Sequence, residues 1–271
     1  METTDFKAYD VDDYVVEIYD KTETQTNDVV LIRQLLAGRA PLRILEPFCG
    51  NGRILIPLAE DGHTLVGIDK SKPMLDSARR KIQELARSAQ ERITLVQSNI
   101  LTDEWPGGFD LVILGANCLY ELATEQEQER SICSARAALK PNGYLYLDNN
   151  HMEGELDHSW CEPGINENRF PTGICADGTE VRGTSETIWF DVKKRLVRFY
   201  RTVTITTPDG KTTKKEGIGQ KHPPSTAEMR AWLNKHGFQV LELWGDRIKS
   251  PYTDRSERAV FWAMRTNGQD E

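Results

Sequence analysis

L-R-I-L-E-P-F-C-G-N-G-R-I-L-I-P-L-A-E-D-G-H-T-L-V-G-I-D-K, running from Leu42 to Lys70, holds the parts of a nucleotide-cofactor half-site in order. Leu42 to Leu45 is a short apolar run suited to a buried parallel strand. Glu46 to Gly52 reads as a turn, and Gly50 and Gly52 let its backbone turn tightly and come close to a ligand. Arg53 to Glu60 has helical spacing, with Ile54, Leu55, Leu58 and Ala59 on the face toward a sheet, and Gly62 ends the helix. Thr64 to Ile68 is a second apolar strand, with Asp69 at its end. A helix start offers unpaired N–H groups. An acid at the end of the second strand can accept both hydroxyls of a ribose. The stretch therefore predicts an adenosine-containing cofactor across the carboxyl ends of the strands. The dinucleotide pattern G-x-G-x-x-G is not met, because counting from Gly50 puts the third glycine at Leu55. That disfavours a nicotinamide-dependent oxidoreductase.

The turn instead carries an acid, Glu46, four residues before its first glycine. This E-x-x-x-G-x-G-R turn, followed by Asp69 after the next strand, resembles the first motif of class I S-adenosylmethionine-dependent methyltransferases. The resemblance implies S-adenosyl-L-methionine as cofactor, with no phosphate for a third glycine to serve. It puts Glu46 beside the methionine end, Gly50 and Gly52 under it, and Asp69 on the ribose. Phe48 and Arg53, in the same motif, are expected to bind the cofactor too. D-K-S-K-P-M-L, 69–75, is similar to the family pattern that sets Lys70 and Met74 near the adenosine. Asn99 and Ile100 follow a third strand, Ile93 to Gln97, where the family has an acid for the adenine amino group. Asn99 stands there instead, and its side-chain carbonyl can accept the same hydrogen bond. The fourth strand, Phe109 to Leu114, ends with Leu114 at the cofactor and opens into G-A-N-C-L-Y-E-L, 115–122. A helix from Glu125 to Lys140, the turn L-K-P-N-G and a fifth strand, Tyr144 to Leu147, complete a run typical of the family.

Ser71 and Pro73 open a helix through about Ala89, with Ser71 as cap and Pro73 in the first turn. Upstream, residues 1–27 are rich in acids and aromatics. Tyr9-Asp10 and Tyr19-Asp20 are similar to the N-terminal helix that caps the cofactor in small-molecule methyltransferases, which makes Tyr14 and Tyr19 cofactor-facing candidates. A surface helix packing its tyrosines is the alternative. Val29 to Leu36 reads as the helix before the first strand.

Residues 151–222 leave the strand–helix rhythm. Thr184 to Asp191, Leu196 to Thr206 and Lys211 to Gly219 read as an antiparallel meander. By resemblance this insertion is a lid over the acceptor pocket, clear of the cofactor. An arm for a homodimer, or a purely structural arm, is the other reading. Ser225 and Glu228 have capping-box spacing for a helix to about His236. Strands at 238–245 and 258–264 then form a final antiparallel hairpin. The expected fold is α/β: a Rossmann-like, doubly wound seven-stranded sheet, mostly parallel with the last strand antiparallel. Residues 1–150 and 223–266 form its core, and 151–222 form an inserted β lid.

Composition limits the classes. The 271 residues are 38% hydrophobic and 28% charged, with no apolar run near a membrane span. The first residues are polar, so no secretory leader is expected. Five cysteines without a C-x-x-C pair suggest reduced thiols in the cytoplasm. A net charge of −8 argues against a nucleic-acid backbone as main partner and leaves a small-molecule acceptor.

Methyl transfer from a sulfonium needs mainly alignment, because the donor is already activated. A base matters only when the acceptor must lose a proton. His151, just past the fifth strand, is a candidate base, or else a solvated loop histidine. Asn117 and Tyr120, past the fourth strand, are the other catalytic candidates. Tyr14, Tyr19 and Tyr120 could face the sulfonium by cation–π attraction. Asp148-Asn149 look like the magnesium-binding pair of catechol O-methyltransferases. The partner acid is missing among Gly115, Ala116 and Asn117, and no metal is expected. The resulting expectation is methyl transfer to a nitrogen or oxygen of a small molecule. The competing class is a non-catalytic sensor of the same cofactor. An open, polar-lined cavity beside the sulfonium favours catalysis; a plugged one favours sensing.

Overall fold

A computed structural model of the chain describes residues 12–150, 164–166 and 170–266. Five strands come first: β1 Arg43–Pro47, β2 Thr64–Asp69, β3 Ile93–Gln97, β4 Phe109–Leu114 and β5 Leu139–Asn150. The insertion adds β6 Ile165–Asn166, β7 Thr172–Ile174, β8 Glu180–Asp191, β9 Leu196–Thr206 and β10 Thr212–Lys221. The chain closes with β11 Phe238–Trp244 and β12 Arg258–Arg265. The helices are α1 Asp13–Thr22, α2 Asn27–Leu36, α3 Leu55–Glu60, α4 Lys72–Gln83, α5 Arg87–Gln90, α6 Glu125–Ala138 and α7 Thr226–Lys235.

The main sheet has seven strands in the order β11-β12-β5-β4-β1-β2-β3. β1 to β5 pair in parallel, whereas β12 runs antiparallel to both β5 and β11. The expected doubly wound fold is therefore present. Runs such as F-D-L-V-I-L are apolar on both sides because both faces are covered. One face packs on α6 and α7 through Ile132, Trp232 and Leu233. The other packs on α2 and α3 through Leu31, Ile32, Leu55 and Leu58. The strand order reverses between β1 and β4, and a ligand crevice opens at such a switch point, outside the carboxyl ends of the strands.

Two helices differ from the sequence reading. The one expected from Arg53 starts at Leu55, because Gly52 adopts φ +79° and the chain is still turning at Ile54. The one expected to run to Ala89 stops at Gln83 and resumes as α5. The Gln90 amide donates to the carbonyls of Gln83 and Leu85 and satisfies the interrupted end.

The insertion forms a second antiparallel sheet, β10-β9-β8-β6, with β7 also paired to β8. Its small core of Val181, Val203 and Ile205 is closed by Val15 and Ile18 of α1. Helix α1 thus packs with the insertion, although it lies in the segment assigned to the core.

The capping box of α7 is as expected: Ser225 Oγ accepts from Glu228 N at 3.1 Å, and Glu228 Oε2 accepts from Ser225 N at 2.7 Å. Burial pushes the Glu228 carboxyl up. Bonds from His222 and from the Ser225 N–H and hydroxyl outweigh burial and bring it down to about 2. A depressed carboxyl contributes stability above its ordinary value of 4.5 and loses it as pH falls toward about 2. Glu228→Gln should therefore lower the melting temperature at neutral pH and flatten its fall across that acid window. Parallel curves for the two proteins would show that this carboxyl does not titrate with folding.

Candidate active site

At the switch point lies a cavity of about 500 Å³. Its first wall is the turn after β1. Phe48, Gly50 and Gly52 adopt φ of +64°, +51° and +79°. Left-handed backbone costs a residue with a Cβ roughly 1–2 kcal/mol, so Phe48 is the strained member of the three. Its ring lines the cavity and packs against the core. The turn is tied to β2 by Asp69, whose Oδ2 accepts from Gly50 N at 2.9 Å and whose Oδ1 accepts from Ser71 N at 2.8 Å. Asp69 also faces the cavity.

Helix α1 is fastened over this turn by Asp20. Its carboxylate accepts from Lys81 Nζ at 2.6 Å, from Ser77 Oγ at 3.1 Å and from the Asn51 amide. That clamp brings Tyr19 to the cavity. Burial pushes the Tyr19 hydroxyl above its ordinary range, opposed by the Arg53 guanidinium beside it. Arg53 itself bonds Asp28 at 2.8 and 2.5 Å and the Gln25 carbonyl at 2.7 Å. Asp28 is fully buried; burial alone would raise its carboxyl, but Arg53 holds it below the usual carboxylate range.

Lys70, Met74, Asn99 and Ile100, the residues the resemblance gives to the adenosine, line the cavity. The Asn99 Oδ1 already accepts from Leu101 N at 3.1 Å. An amide oxygen has a second lone pair to offer. The far wall is Gly115, Ala116, Cys118 and Leu122, just past β4.

Ile218 and Gln220 of β10 line the same cavity. The end of β10 is latched across it: Gln220 Nε2 donates to the Ala123 carbonyl at 3.0 Å, and Lys221 Nζ lies 2.7 Å from Glu121. One residue on, His222 Nδ1 pairs with Gln128 Oε1 at 2.7 Å. Residues of the insertion thus line the same cavity as Asp69 and Asn99.

Several expected residues stand elsewhere. Tyr14 packs against the core of the second sheet. Leu114 is fully buried in the main core. Gly52 shapes the turn, and Arg53 joins it to Asp28, without either lining the cavity. Tyr120 lies under the Lys221 ammonium, 5.3 Å from its ring centroid. Asn117 is not in the cavity wall; its Oδ1 accepts from Asn150 N at 2.7 Å and Arg258 Nη2 at 2.9 Å. That bonding replaces the catalytic expectation for Asn117 with a structural one. His151 lies outside the described residues. Both Asp148 oxygens accept from arginines, Oδ2 from Arg247 Nε at 2.8 Å and Oδ1 from Arg258 Nε at 2.6 Å. Those bonds occupy the carboxylate that resembled a magnesium ligand. A second, polar cavity of about 570 Å³ lies beside Asn150, Arg247 and Arg258.

The residues fit an adenosyl group carrying an amino-acid end. Asp69 offers an ionic acceptor to a diol, while Met74, Ile100 and Leu101 give apolar faces. Glu46 is buried under the turn, its Oε2 without a partner among the described residues. Burial pushes this carboxyl well up, and a nearby cationic group would offset that cost.

A family profile described as "Methyltransferase domain" matches residues 39–207. The chain is 28% identical over 262 residues to a glycine/sarcosine N-methyltransferase of Halorhodospira halochloris, covering 92% of this chain and 88% of that one. It is 27% identical over 226 residues to a protein named as a methyltransferase in Geobacillus sp. (strain WCH70), covering 82% and 84%. Among solved structures, an amino pentose methyltransferase of Micromonospora echinaspora with S-adenosylmethionine bound aligns with a TM-score of 0.62 at 18% identity, covering 98% and 100%.

Proposed function

The chain belongs to the methyltransferase domain family, it is an S-adenosylmethionine-dependent methyltransferase, and we propose that it methylates a nitrogen or oxygen of a small-molecule acceptor. The observation that carries the proposal is the single cavity that joins Asp69 and Asn99 to the Gly115–Cys118 wall and to β10. It is an open cavity and not a plugged one, with Asp69, Asn99 and Gln220 set among largely apolar walls; open space beside the cofactor is what transfer to an acceptor needs. The glycine/sarcosine relative supports nitrogen as the receiving atom.

The cofactor supplies an already activated methyl group, so the protein's work is placement. Asp69 would hold the ribose, Asn99 and Ile100 the adenine, and Glu46 the amino-acid end. Residues 151–222 act as a lid, supported by the latch of Gln220 and Lys221 across the cavity. A lid so placed excludes water and sets access. The four described cysteines are unpaired, which supports a cytoplasmic setting. Among the described residues no helix is long and apolar enough to cross a membrane.

The test is incubation with methyl-labelled S-adenosylmethionine and a panel of amines, amino acids, amino sugars and phenols. Label should move to at least one small acceptor. Tight cofactor binding with no transfer to any of them would overturn the proposal.

A further inference from the structure

We infer that Arg258 and Asn117 are a positioning pair that holds the far wall of the cofactor cavity in a strained shape; this rests on the cofactor reading above. The wall is the reversal of the chain out of β4. Ala116 and Asn117 adopt φ of +53° and +63°, two successive left-handed residues with side chains. Such backbone persists only when its surroundings enforce it. Gly115 and Ala116, on the near side of the reversal, line the cavity, so its shape and the cavity's shape are one thing.

What enforces it reaches across the sheet. Asn117 N donates to the Asp148 carbonyl at 3.1 Å. The Asn117 Oδ1 accepts from Asn150 N at 2.7 Å and from Arg258 Nη2 at 2.9 Å. The same guanidinium donates from Nε to Asp148 Oδ1 at 2.6 Å and from Nη1 to Asn150 Oδ1 at 2.7 Å. One planar fork thus binds the exit of β4 and the end of β5 to the start of β12. A lysine ammonium carries the charge but has no such fork. Without the pair, the reversal relaxes toward ordinary backbone and its cavity face shifts relative to Asp69. Neither residue touches the cofactor in this account; both act through Gly115 and Ala116.

The test uses the full chain and S-adenosylhomocysteine, titrated by calorimetry well below the melting temperature of each variant. Asn117→Gly tolerates the left-handed backbone but lacks the oxygen. Its affinity should fall at least about tenfold, the order expected for losing a hydrogen bond to a charged donor, while its far-UV spectrum stays native. Asn117→Asp restores an oxygen opposite Arg258 and should bind within about threefold of the unmodified chain, less than a 1 kcal/mol change. Arg258→Lys keeps the charge beside Asp148 and should bind as weakly as Asn117→Gly. A purely structural role would lower melting temperatures and leave affinities equal. Asn117→Gly binding like the unmodified chain, or Asn117→Asp failing to restore it, overturns the inference. No binding by the unmodified chain would instead overturn the cofactor reading.

Discussion

Asp148→Ala is expected to lower the unfolding free energy by about 3–5 kcal/mol, the loss typical when one partner of a buried ion pair is removed. Asp148 is fully buried, and its two oxygens are divided between Arg247 and Arg258. The arginine side chains are only 15% and 17% exposed, so removing the carboxylate leaves two guanidinium groups with little water to turn to. Arg247 keeps a longer contact with Asp28 at 3.6 Å, and Arg258 keeps Asn150 and Asn117. Those remaining contacts set the lower end of the range. Domains have only about 5–15 kcal/mol of stability in all, so the effect should be plain in a urea titration. Asp148→Asn retains an acceptor oxygen and should fall between. A loss under about 1 kcal/mol, the worth of an exposed pair, would show that water screens this cluster.

Asp69→Ala should weaken S-adenosylmethionine at least tenfold. Hydrogen bonds to a charged group contribute about 1.5–3 kcal/mol each, and a ribose diol offers two. The substitution also releases Gly50 N and Ser71 N, which the carboxylate now fixes. Asp69 sits at a strand end, partly exposed, so the fold should survive with a modest drop in melting temperature. Unchanged affinity in calorimetry would show that the acid serves only to knot the two loops.

Much of this site could be read from local sequence, because its chemistry is local. The turn from Glu46 to Gly52 and the acid at Asp69 sit at strand ends whose apolar runs mark them. The family resemblance marks Lys70, Met74, Asn99 and Ile100, and all line the cavity. Ser225 and Glu228 announced their helix through spacing alone. What could not be read depends on contacts between distant segments. Nothing local marks Ile218 and Gln220 as cavity residues; the meander has to fold back from β10 over the 118–128 segment to put them there. Asn117 stands after β4 where a catalytic residue is expected, but its bonding depends on Asn150 and on Arg258, 141 positions away. Arg53, expected at the cofactor, is held by Asp28, an acid from the preceding helix that no motif marks. Tyr14 and Tyr19 lie on one helix yet part company, because α1 is wedged between the second sheet and α4.

The most direct test of the central claim is a crystal structure with S-adenosylhomocysteine. The ribose hydroxyls should lie within hydrogen-bonding distance of the Asp69 carboxylate, the adenine beside Asn99 and Ile100, and the sulfur toward Gly115 and Ala116. A nucleoside found instead in the polar cavity beside Arg247 and Arg258, or a ribose out of reach of Asp69, would contradict the account.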